Sequence, residues 1–267
     1  MAKQVDLYSS YSNFNNKVLG AIRKETFGTD IGQNSWLTVD EYDRFLPLLN
    51  LAPDHHILEV ASGSGGPAIY LARATGCRVT GIDADEGGVA TATQMARAAG
   101  DDGRVSFRVA NATEKLPFEA DSFEALVCID ALNHFPHRLQ VFLEWHRVLR
   151  PGARALFTDP VVITGPVTSE ELALRSSIGV FLFVPPRVNE QLLQQSGFQL
   201  VLREDVSDIA ATIARRWYEA RQKFREDLIP IEGEERFDGL QRFFESVHRL
   251  TSEKRLSRMA YVAEKRG

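Results

Sequence analysis

Cysteine is scarce in this chain: 267 residues contain only Cys77 and Cys128. Two are too few to staple a small secreted domain, and their spacing suits no metal site, so a reducing, cytoplasmic setting is expected. Long apolar runs are absent as well. The longest, Ile178 to Val184, falls far short of the ~18 residues of a membrane span and suits a buried strand or a helix turn. The opening stretch MAKQVDLYSS lacks the apolar core of a signal segment, so no membrane partner is expected. Nor is there a basic excess: 31 Lys and Arg against 36 Asp and Glu leave a net charge of −5, which argues against a nucleic-acid partner. Repeats, low-complexity tracts and flexible linkers are not evident. What is present, 44% hydrophobic and 25% charged residues, is the composition of an ordinary globular chain. Its length suits one large or two small domains, with a core that needs neither disulfides nor metal.

Strand-like and helix-like segments alternate through the first half. Ile57 to Val60 is a short apolar run ending in glycines, and Ala68 to Arg73 reads as the following helix. Arg78 to Ile82 is the next strand, closed by Asp83, and Gly88 to Ala99 is an Ala-rich helix stopped by Gly100. Val105 to Val109 alternates, Glu124 to Ile129 is nearly all apolar, Leu139 to Leu149 is helical up to Pro151-Gly152, and Ala153 to Thr158 is again a strand. Such alternation predicts an α/β fold, a parallel sheet with helices on both faces.

Flanking segments differ. Residues 8–27 and the face Tyr42, Phe45, Leu46 and Leu49 predict helices before the sheet, with capping-box spacing at Thr38 to Glu41 and Pro47 limiting the second helix. A second capping box, Thr168 to Glu171, precedes a helix at Asn189 to Gln195 and a strand at Gln199 to Leu202. Two helical stripes follow, Ile209-Ile213-Trp217-Phe224-Leu228 and Phe237 through Leu250, and Leu256 to Ala263 returns to strand. The expected division is a helical cover over residues 1–50, an α/β core over 51–204, a helical lid over 205–252 and a final core strand over 253–267.

The stretch most informative about chemistry is Glu59-Val60-Ala61-Ser62-Gly63-Ser64-Gly65-Gly66-Pro67-Ala68, a strand running through a glycine turn into a helix. Glycines let backbone approach a ligand closely, and a carboxylate such as Asp83 at the next strand end accepts both hydroxyls of a ribose. The segment from Gly63 to Ala68 also satisfies the dinucleotide fingerprint, so an NAD-dependent oxidoreductase is one alternative. With Glu59 inside the strand and small residues at Ala61, Gly63 and Gly65, the sequence resembles the class I S-adenosylmethionine-dependent methyltransferases. Val79 to Asp85, Ala110-Asn111-Ala112 with Leu116-Pro117-Phe118, Ser122 to Asp130, and Arg147 to Gly152 resemble that family's later motifs, in order, over roughly residues 30–160. Length and flanking helices resemble its small-molecule branch, which includes sugar O-methyltransferases and phosphobase N-methyltransferases.

The resemblance implies a doubly wound, mostly parallel seven-stranded sheet, S-adenosylmethionine as cofactor and a small-molecule acceptor. It implies Glu59, Ala61, Gly63 and Gly65 at the cofactor, Asp83 with Ala84 at the ribose, Asn111 and Ala112 at the adenine, and Ile129 and His134 beyond the fourth strand. Asn111 stands where the family usually has Asp. Gln33, Ser35 and Trp36, in a polar link between the N-terminal helices, are candidates for the methionine end. A hydroxyl acceptor needs a base; His134 is the best placed of six histidines, with Asp159 at the neighbouring strand end to orient it or to hold the acceptor. No metal is expected, since Asp130 and Asp159 lack a third ligand. Arg175, Arg187, Arg215, Arg216 and Arg221 suit a substrate carboxylate or phosphate, and Phe181, Phe183, Trp217 and Tyr218 suit an apolar wall. A nucleic-acid methyltransferase is the other alternative, but no Asn/Asp-Pro-Pro-aromatic motif follows the fourth strand.

Overall fold

The computed structural model describes Phe14 and residues 16–266. Seven strands form one sheet in the order β3-β2-β1-β4-β5-β7-β6. They are β1 His56–Val60, β2 Arg78–Asp83, β3 Val105–Val109, β4 Phe123–Cys128, β5 Leu149–Ile163, β6 Phe198–Asp205 and β7 Leu256–Lys265. Strands β1 to β5 pair in parallel, while β7 runs antiparallel to both β5 and β6. The central strands are apolar throughout because both faces are covered. Ile57, Ala125, Val127 and Leu156 pack to one side with α2 (Val39–Phe45) and α3 (Gly66–Thr75). Leu58, Leu126, Cys128 and Phe157 pack to the other with α5 (Arg138–Val148), where Trp145 and Phe142 are fully enclosed. The alternation of Val105 to Val109 has the complementary cause: β3 is an edge strand with its outer face wet.

The order of strands reverses beside β1, so the loops after β1, β2 and β4 open into one crevice, the usual binding position in open α/β sheets. Over this end lies a helical cover. Helix α1 (Lys17–Phe27) precedes the sheet; α8 (Ser207–Lys223), α9 (Arg225–Glu232) and α10 (Glu234–Ser252) sit between β6 and β7 in sequence. Phe27 of α1 meets Trp217 of α8 edge to face at 5.9 Å, and Trp217 stacks on Phe244 of α10 at 5.5 Å. Remaining helices are α4 (Glu86–Ala99), α6 (Ser169–Arg175) and α7 (Val188–Gln195).

Several local expectations are corrected. The helix expected over 8–27 is described from Lys17; residues 8–13 lie outside the described residues. The Thr38 hydroxyl does accept from the Glu41 backbone N–H, but the Glu41 carboxylate turns inward to Arg258 at 2.6 Å, leaving that capping box half made. At Thr168–Glu171 both halves form. The stripe from Ile209 to Leu228 is broken at Phe224 into α8 and α9. Ile178 to Val184 is neither helix nor strand, apart from one parallel bridge between Val184 and Val162.

Candidate active site

A cavity of about 420 Å³ occupies the crevice beneath the cover. Its floor is the turn after β1. Ala61 and Gly63 take positive φ values of 57° and 51°, and Gly65 one of 81°. A Cβ on Gly65 would stand 2.5 Å from the Phe107 ring, and one on Gly66 2.1 Å from the Ile31 carbonyl oxygen. Those two glycines therefore admit neighbours rather than ligand: Gly65 the β3 ring, Gly66 the loop between α1 and α2. Ser64 Oγ donates to the Gly32 carbonyl at 3.0 Å, and Asn34 reaches back to Ser64. The loop is thus laid directly over the glycine turn.

Two carboxyl groups face this floor. Asp83 ends β2; one oxygen accepts from the Gly63 N–H at 2.8 Å and the other from the Asp85 N–H at 2.9 Å. The carboxylate is held in one orientation, and burial raises its pKa against those two bonds. Glu59 is only 3% exposed and its Oε2 has no partner. Burial first, and Asp83 second, push its pKa up to about 8. A buried acid with an unmatched oxygen at the wall of a cavity is a ready partner for a cationic or N–H-bearing ligand.

At the opposite wall, after β4, a short turn over Leu132–His134 carries the best base candidate. His134 Nδ1 lies 2.9 Å from the Val180 carbonyl oxygen. A carbonyl only accepts, so the proton sits on Nδ1 and the Nε2 lone pair accepts from the Asn133 amide N–H at 3.2 Å. Burial, with Arg175 adding to it, lowers the His134 pKa against the pull of the Val180 bond. The ring is therefore neutral and in a base-competent tautomer at neutral pH.

Of the residues expected at the site, Ser35, Trp36, Glu59, Ala61, Gly63, Asp83, Ala84, Asn111, Ala112, Ile129 and His134 all line the cavity. Gln33, Gly65 and Asp159 do not. Gln33 is fully buried and spends its amide inside the loop, accepting from Ile31 N–H and donating to Leu37 O. Asp159 is fully buried and bound by Arg138 at 2.5 Å and by Asn189 at 2.8 Å, so it neither orients His134 nor reaches an acceptor. The Asn111 side chain lines the cavity but is engaged with Thr113 and Glu114. Among the lid residues, Arg175, Arg221, Phe181 and Trp217 line the cavity, whereas Arg187, Arg215, Arg216, Phe183 and Tyr218 do not.

Asp130, which the sequence offers only as a metal ligand, has a different role. Its φ is 52°. It accepts from the Trp36 backbone N–H at 2.9 Å, from Thr158 Oγ1 at 2.7 Å and from Arg258 Nε at 2.7 Å. Arg258 in turn binds Glu41. This chain of buried charges fastens the loop over the cavity to β4, β5, β7 and α2. Among the described residues no three His, Cys, Asp or Glu side chains converge as a metal site.

Comparison with known proteins bears on what such a cavity serves. Residues 58–157 match the sequence profile of a family described as a methyltransferase domain. Methyltransferase GfsG of Streptomyces halstedii is 34% identical over 178 residues, covering 64% of this chain and 61% of its own length. (+)-O-methylkolavelool synthase of Herpetosiphon aurantiacus is 30% identical over 218 residues, covering 81% of this chain and 76% of its own. Among solved structures, Haemonchus contortus phosphoethanolamine N-methyltransferase 2, in complex with phosphomonomethylethanolamine and S-adenosylhomocysteine, aligns with a TM-score of 0.81 at 20% identity. That alignment covers 97% of this chain and 60% of the other, a likeness of fold.

Proposed function

This chain belongs to the class I S-adenosylmethionine-dependent methyltransferases, and from that premise we propose that it transfers a methyl group to a hydroxyl of a small-molecule acceptor, with His134 as general base. The observation that carries the proposal is the pairing of Glu59 and Asp83 on one wall of the cavity with a neutral, Nδ1-protonated His134 on the other. When bound, the cofactor supplies a methyl group already activated by a positive sulfur. Asp83 would accept from its ribose hydroxyls, Ala84 and Ala112 would flank the purine, and the free oxygen of Glu59 would meet the amino group of its methionine end. Ala61, Gly63, Ser35 and Trp36 would shape that end, with Ile129 beside it.

His134 Nε2, on letting go of the Asn133 amide, would take the proton of the acceptor hydroxyl as that oxygen bonds to the methyl carbon and the carbon–sulfur bond breaks, its electron pair staying on sulfur as a neutral thioether; the Val180 carbonyl would steady the imidazolium that results. Residues 16–50 and 205–252 act as a cover that excludes water from the core of 51–204, which β7 completes. The relative from Herpetosiphon is named for an O-methylated product, which favours oxygen as the receiving atom over nitrogen.

The test is calorimetry with S-adenosylhomocysteine and NAD, followed by radiolabelled methyl transfer to a panel of alcohols and amines. Binding of S-adenosylhomocysteine alone is expected, weakened by at least about 10- to 100-fold in Asp83→Ala, the equivalent of one charge-assisted bond of about 1.5–3 kcal/mol. Binding of NAD without S-adenosylhomocysteine would overturn the proposal.

A further inference from the structure

We propose that Arg175 is the recognition point for an anionic group, a carboxylate or a phosphate, carried by an otherwise apolar acceptor; the inference rests on the methyl-transfer reading of the cavity. Arg175 ends α6, lines the cavity and is 2% exposed. Other buried arginines of this chain are matched: Arg138 by Asp159, Arg221 by Glu232, Arg258 by Glu41 and Asp130. The Arg175 guanidinium makes no ion pair or hydrogen bond with any described residue, and its Nη1 is buried without a partner.

Its surroundings are rings. The guanidinium carbon lies 4.8 Å from the centre of Phe181, 5.2 Å from that of Phe243 and 5.9 Å from that of Trp36. Aromatic faces attract a cation but accept few of its N–H bonds, so the five donors of the fork stay unspent. Burial lowers the pKa of Arg175 to about 9, against the pull of Asp130 and Asp159. Those two carboxylates are already bound by Arg258 and Arg138. The planar fork matches a carboxylate or phosphate edge, and the flanking rings suit the apolar body beside it. His134 touches the same Phe181 ring, at 4.9 Å between centroids. The anionic group and the receiving hydroxyl therefore lie on neighbouring parts of the acceptor.

Protein saturated with S-adenosylhomocysteine is titrated calorimetrically with phenylphosphate, phenylacetate and, as the neutral match, benzyl alcohol. At least one anion is expected to bind more tightly than benzyl alcohol, and the tighter of the two names the group. Arg175→Gln should weaken that anion by about 10- to 100-fold while leaving benzyl alcohol and S-adenosylhomocysteine unaffected. Arg175→Met should lose the anion in the same way and melt no lower than wild type, since it removes an unmatched buried charge. Equal anion affinity in wild type and both variants overturns the proposal. So does a loss of S-adenosylhomocysteine affinity in Arg175→Gln, which would assign Arg175 to the carboxylate of the cofactor. The anion titrations are repeated without S-adenosylhomocysteine. Failure of that ligand to bind then counts against the methyl-transfer reading, while the Arg175 comparison still decides the anion site.

Discussion

Glu59 is held away from the charge state that its side chain would take in water at neutral pH, His134 is held more firmly in its neutral one, and both shifts are measurable. For Glu59 the ordinary value is 4.5 and the folded value about 8. Between those limits the native chain keeps a proton that the unfolded chain has released. The ligand-free protein therefore loses stability as pH rises through this window, by about 1.4 kcal/mol per pH unit from this group, with no effect below the lower limit. Thermal melts from pH 5 to 8 should show the decline, and Glu59→Gln should flatten it. Binding of S-adenosylhomocysteine below pH 8 should expel the proton, seen as a heat that varies with buffer ionisation enthalpy and is lost in Glu59→Gln. For His134 the lowered pKa places the acid limb of turnover below the ordinary histidine value of 6.5. His134→Gln should remove that limb and slow transfer by about 10²–10⁴; a shared pH profile at similar rates would leave His134 a structural residue.

At the scale of elements, the cavity depends on how α2 and the loop before it are tied to the sheet. Glu41, Arg258 and Asp130 form one buried line of alternating charge. Removing an end leaves Arg258 half compensated, so Glu41→Ala should cost about 3–5 kcal/mol in urea unfolding. Adding both Arg258→Met and Asp130→Asn to Glu41→Ala should recover part of that loss, because no buried charge of the line is then left unmatched. The same tie marks the boundary of what could be read in advance. Strands β1 to β4 and the glycine turn were legible because local periodicity, strand ends and turn glycines are written in neighbouring residues. The half-made cap at Thr38 was not, because Glu41 is drawn off by Arg258, which lies 217 positions away. Asp159, expected at a strand end, lies inside β5, which runs on to Ile163, and it stays out of the cavity: nothing near it in sequence announces Arg138 and Asn189. Arg175 stood among several lid arginines, and only its enclosure by rings set it apart.

The cover is built from two stretches far apart in sequence, α1 with the loop after it and α8 to α10. Aromatic contacts bridge α1, α8 and α10, and Trp36 from the loop meets Phe243 and Phe244 at 6.4 and 6.3 Å. Hydrogen exchange in residues 16–36 and in 207–252 should therefore slow together when S-adenosylhomocysteine binds. Slowing confined to residues 56–134 would detach the cover from the ligand. The seventh strand has a further consequence, for the way the molecule is made. Strands β5 and β6 do not pair with each other; β7 lies between them and pairs with both. During synthesis β6 emerges with no neighbour to bond to, and the cover helices emerge after it, tethered at one end only. The sheet is closed and the lid anchored by the same event, the arrival of residues 256–265 from the ribosome. Until then Leu200 and Val201, already the exposed apolar positions of that edge, stand on an unpaired strand open to chaperones and to other nascent chains.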